Sequence, residues 1–96
     1  MNWKLSTEVL EENEIDVSNG TTFGSKVILF NDEIHSFDDV IMQLVKAINC
    51  TSDQAEDIAW EVHSKGKALV YTGDMPDCLR VSAILEEIGL HTQIEY

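Results

Sequence analysis

Positive charge is what this sequence most lacks. Its 96 residues carry six Lys plus Arg against 18 Asp plus Glu, a formal net charge of −12 at pH 7. Such a field repels phosphate backbones and anionic lipid, so neither nucleic acid nor a membrane surface is an expected partner; a basic protein surface is. Cysteine is scarce too. Cys50 and Cys78 are too few for a disulfide scaffold and too widely spaced for a Cys-x-x-Cys site, so both are expected to be reduced thiols packed as small apolar groups. No apolar run approaches the roughly 18 residues of a spanning helix, and the N-terminus lacks the basic-then-apolar pattern of a secretory leader. A soluble, cytoplasmic protein is therefore expected. Enzyme signatures are missing as well: there is no Gly-rich phosphate loop, no Gly-x-Ser-x-Gly elbow and no pair of metal-binding histidines on one helix. His35, His63 and His91 lie far apart in sequence, so neither a metal nor another cofactor is expected.

What is present is strongly patterned. Residues 1–25 hold Glu8, Glu11, Glu12, Glu14 and Asp16, then Ser18, Asn19, Gly20, Thr21, Thr22 and Gly24, and are expected to form an acidic flexible N-terminal extension. One small folded domain over residues 26–96 should follow, since 44% of the chain is hydrophobic. Val27, Ile28, Leu29 and Phe30 form a short apolar run between polar neighbours, as for a buried strand. Ser36 followed by Asp39 is a capping-box variant, and Phe37, Val40, Ile41, Leu44, Val45 and Ile48 recur at helical spacing. Thr51 and Gln54 repeat the capping signature before a second stripe of Ala55, Ile58, Ala59 and Val62, with Gly66 as a suitable stop. Ala68 to Tyr71 reads as a strand. Asp74 opens a third helix with Pro76 in its first turn and an apolar face of Cys78, Val81, Leu85 and Ile88 before Gly89; His91 to Tyr96 is a last strand. The order β-α-α-β-α-β describes an α+β domain with helices set against a small sheet.

Two places offer recognition chemistry. The polar cluster Asn31-Asp32-Glu33-Ile34-His35-Ser36 lies between a buried strand and a capped helix, where a loop is held firmly enough to present side chains, although Asn and Asp also favour an ordinary solvated turn. His63 follows Val62 on the second helix, one turn after Ala59, so it is either structural or turned into a groove beside the apolar stripe.

Asn31-Asp32-Glu33, the helix start Phe37-Asp38-Asp39-Val40, and Val62-His63-Ser64-Lys65-Gly66-Lys67-Ala68 together resemble ClpS, the adaptor family of the bacterial Clp protease. The resemblance covers roughly residues 26 to 96. It implies three antiparallel strands packed against three helices. It also implies an adaptor that binds N-degrons, proteins with a free N-terminal Leu, Phe, Tyr or Trp, and delivers them to a Clp-family AAA+ unfoldase. Carried over residue by residue, Asn31, Asp32, Glu33 and His63 would hold the α-amino group, while Phe37, Val40, Ala59 and Val62 would line the side-chain pocket. Asp74 and Arg80 are the nearest matches to the family's unfoldase contacts. The residues depart from the family pattern at several points. Glu33 stands where Asp is common, Ile34-His35-Ser36 replaces Tyr-Thr-Pro, and Phe37 and Ala59 each stand where Met is usual. Two other readings remain open on sequence. One is a diverged ClpS-like fold used as an interaction module, like the C-terminal domain of the ribosomal stalk protein; the other is a small enzyme or metal binder using His35 and His63 with Asp32 or Glu33.

Overall fold

The computed structural model describes residues 24–96; the expected acidic extension, up to residue 23, lies outside the described residues. Six elements follow in the order β1 (Ser25–Phe30), α1 (Phe37–Ile48), α2 (Ser52–Lys65), β2 (Lys67–Gly73), α3 (Met75–Glu86) and β3 (His91–Glu95). The sheet order is β2-β1-β3 and both pairings are antiparallel, so the first strand is the central one. This is the α+β arrangement expected from the order of elements.

Local chemistry sets the helix limits. Ser36 accepts a hydrogen bond from Asp39 N at the start of α1. Thr51 and Gln54 form the complete reciprocal box at the start of α2, with Gln54 N donating to Thr51 Oγ1 and Thr51 N to Gln54 Oε1. Asp74 accepts from Asp77 N, with Pro76 tolerated in the first turn of α3. At the far ends Asn49 and Gly66 take left-handed conformations, φ 57° and 88°, that halt α1 and α2.

The run Val27–Phe30 is not buried throughout, as its letters suggest. Val27 and Leu29 are fully enclosed while Ile28 and Phe30 are half-buried, because all three helices cover one face of the sheet and period-two alternation selects the inward residues. Those inward residues, with Ala68 and Val70 of β2, meet Leu44 and Ala47 of α1, Ala55 and Val62 of α2, and Cys78, Val81 and Leu85 of α3 in one core. Ile88 departs from expectation. Glu87 N and Gly89 N bond back to Ile84 O and Glu86 O, Gly89 takes φ 91°, and the chain leaves the helical face before Ile88, which is exposed. The same turn is tied to α1. The buried Gln43 amide donates to Ile84 O at 2.6 Å and to Glu87 Oε1 at 3.1 Å, and Lys46 pairs with Glu87 at 2.8 Å.

Candidate functional site

At the Phe30 end of β1 the chain turns into the Asn31–Ser36 loop and then into α1, while α2 ends alongside. Asn31 N donates to Gly66 O at 2.9 Å, which fixes the start of the loop to the end of α2. A cavity of about 360 Å³ opens between these segments, within the size range of small-ligand sites. All eight residues singled out for amine and side-chain binding line it: Asn31, Asp32, Glu33 and His63 supply the polar atoms, and Phe37, Val40, Ala59 and Val62 the apolar walls. Asp74 and Arg80 stand apart on α3. Asp74 caps that helix, and Arg80 Nη1 donates to Ala47 O at 3.1 Å near the end of α1. His35, which the sequence placed in the polar cluster without a role in the pocket, also lines it, and sequence reasoning missed three further lining residues: Leu29, Phe30 and Leu90. Leu90, 4% exposed, closes the wall from the start of β3, and the helix-stop Gly89 before it was its only signal.

The loop is braced from within. Asp32 Oδ1 accepts from Ile34 N and His35 N, both at 3.0 Å, and Asp32 Oδ2 meets His35 Nδ1 at 2.7 Å. The other ring nitrogen of His35 meets Ile88 O in the turn after α3. Three of the roughly four acceptor positions of the Asp32 carboxylate are thus engaged by its own loop. Asp32 therefore brings negative charge and a fixed loop shape to the site, whereas the side chains of Asn31, Glu33 and His63 are exposed at the rim.

His63 sits in an aromatic group on the pocket's edge. Its ring meets Phe37 at 5.8 Å and Trp60 at 5.9 Å, both nearly edge-on, and Phe37 packs on Trp60 with centroids 4.6 Å apart. On this β-α-α-β-α-β frame, with an acidic, imidazole-bearing rim over an apolar cavity, residues 24–93 match the model of the family described as ATP-dependent Clp protease adaptor protein ClpS. The chain belongs to the ClpS family. It is 28% identical to the ClpS adaptor of Synechococcus elongatus over 92 residues, covering 95% of this chain and 97% of that one. It is also 32% identical over 85 residues, 88% of its length, to the E3 ubiquitin-protein ligase UBR2 of Mus musculus, of which it spans 5%. In fold it is similar to Agrobacterium tumefaciens ClpS2, solved bound to L-phenylalaninamide: the TM-score is 0.72 at 19% identity, covering 77% of this chain and 96% of that one.

Within this ClpS domain His35 gives the pocket loop a titratable brace. Both of its ring nitrogens face acceptors, a carbonyl and a carboxylate, and only the imidazolium donates from both. The Ile88 carbonyl, followed by Asp32, raises the His35 pKa above its ordinary value. Burial acts to raise the Asp32 pKa, but hydrogen bonds from His35 and Ile34 outweigh it and hold that carboxyl below its ordinary range. A raised histidine pKa contributes stability in full below the unfolded value of about 6.5 and loses it as pH rises through the folded value. Amide-exchange protection at Ile34 and His35 should accordingly be higher at pH 6 than at pH 8 (~ two units spanning the imidazole range), and His35→Ala should remove the difference. Equal protection factors at both pH values would show that the clasp does not titrate.

Proposed function

We propose that this chain is an N-degron adaptor. It holds the free α-ammonium and bulky hydrophobic first side chain of a substrate and presents that substrate to a Clp-family AAA+ unfoldase in the cytoplasm, without catalysis or a cofactor of its own. The observation that carries this reading is the joining of amine acceptors and an apolar pocket in a single cavity. An α-amino group, with a pKa of about 7.7 to 8.0, is mainly an ammonium at neutral pH, with three donors and nothing to accept with. It calls for acceptors and negative charge: Asn31, Glu33 and His63 offer an amide oxygen, a carboxylate and an imidazole nitrogen, and Asp32 adds its charge. Burying the first side chain against Phe37, Val40, Ala59, Val62 and Leu90 adds on the order of 1.5–3 kcal/mol, enough to separate Leu, Phe, Tyr or Trp from Ala. The L-phenylalaninamide bound to the fold relative, which joins a free amine to a benzyl side chain, supports the same reading. Asp74 and Arg80 are the proposed unfoldase contacts, engaged from their exposed sides on α3.

The similarity to UBR2 favours a second partner class, in which the same recognition module serves ubiquitin ligation. Fluorescence anisotropy with peptides that differ only in a first residue of Phe, Leu, Tyr, Trp or Ala tests the adaptor reading. Bulky starts should bind and the Ala start should not. A folded protein that binds none of them is an interaction module without degron recognition.

A further inference from the structure

Trp60 has no part in the pocket itself, yet 54% of its surface is open at the pocket's edge. Its placement follows from α2. Ala59 turns inward, so the next residue faces out, and Trp60 is held there against Phe37 and within 5.9 Å of the His63 ring. Its surroundings are acidic. Glu56 and Asp57 lie one turn earlier on the same face, Glu61 follows it, and Asp38 follows Phe37; all four are exposed. Lys65, the cation nearest in sequence on α2, faces Glu61 at 3.9 Å.

We infer that Trp60 is a specificity-determining platform for the second residue of the bound chain, and that it selects Arg or Lys there. The inference rests on the adaptor reading, which places the substrate's first α-carbon beside His63. The next α-carbon lies about 3.8 Å further on, so a peptide that leaves the pocket over α2 brings its second side chain within reach of the indole. An indole face attracts a cation through its quadrupole, and flanking carboxylates add to that attraction. A second residue of Asp or Glu meets the same carboxylates as like charge. The charge pattern favours a basic side chain over an apolar one, because Glu56 and Asp57 share the face of α2 that carries the open ring.

The test is anisotropy at physiological ionic strength, where screening over about 8 Å suppresses the protein's overall charge. Peptides begin Phe-Arg, Phe-Ala or Phe-Asp with a common remainder, and a charge-matched control carries its Arg at the fifth position behind Phe-Ala. Phe-Arg should bind about two- to fivefold tighter than the charge-matched control. Trp60→Leu, which keeps apolar cover on Phe37, should abolish that advantage, and Trp60→Phe should restore part of it. Equal binding of Phe-Arg and the control, or an advantage that survives Trp60→Leu, would overturn the platform while the adaptor reading stands. Failure of every Phe-start peptide, Phe-Ala included, would overturn the adaptor reading and the platform with it.

Discussion

Acetylating the α-amino group of a Phe-start peptide should weaken its binding by at least about a hundredfold, since two charge-assisted hydrogen bonds of roughly 1.5–3 kcal/mol each are lost and every 1.4 kcal/mol is tenfold. The acetyl group also brings a carbonyl, an acceptor, toward a rim that is itself made of acceptors. His63→Ala removes one of them and should cost about ten- to a hundredfold for a free amine. It should cost little more for the acetylated peptide, which already lacks the ammonium. That non-additivity is the signature to look for, and a double-mutant-type comparison by anisotropy supplies it. His63 is exposed, so its removal should leave the thermal midpoint nearly unchanged. A free amine and an acetylated one that bind alike would remove the amine from the recognition scheme.

Ala59→Met should narrow the range of accepted first residues. Ala59 is 3% exposed and lines the cavity, yet it stands outside the main core cluster, so its methyl faces the pocket more than the sheet. Phe37, the residue placed to refill the space, has its ring engaged by Trp60. The wild-type pocket is therefore expected to accept β-branched Ile and Val starts beside Phe. A Met side chain adds three heavy atoms to the wall, and overpacking of that kind costs about 1–3 kcal/mol, or roughly 5- to 150-fold, where the ligand cannot yield. Ile is stiff at its first torsion and cannot yield as Leu and Phe do. The ratio of Ile-start to Phe-start affinity in the two proteins is the measurement. If wild type rejects Ile and the substitution leaves the ratio unchanged, Phe37 closes the wall instead.

The parts of this molecule that were legible in its sequence are those whose causes are local. The caps at Ser36, Thr51 and Asp74 each form within three residues, and the stripe Ala55, Ala59 and Val62 needs only helical spacing. Asn31 and His63 were open on local reading alone, as a solvated turn and a structural histidine, and it was the resemblance to ClpS that singled them out. His35 was legible as an extra titratable group but not as a brace, since Ile88 O lies 53 residues away and a backbone carbonyl leaves no trace in the letters. Leu90 was hidden for the same reason: the packing of β3 beside β1 brings it to the pocket. Ile88 was misread because a period of 3.6 continues on paper past the turn that Glu87 and Gly89 impose. Trp60 follows Ala59, and its role at the rim emerges only once α2 is laid beside Phe37.

The central position of β1 has a mechanical consequence. The chain enters the domain at Ser25 and reaches the pocket at the other end of the strand, so the point of entry and the pocket stand about 17 Å apart along one strand. Because β1 is paired on both flanks, tension applied to the segment before Ser25 and directed along the strand loads both ladders at once, in shear. An edge strand pulled sideways would unzip one pair at a time. Force on the leading end of this domain must therefore break both ladders together.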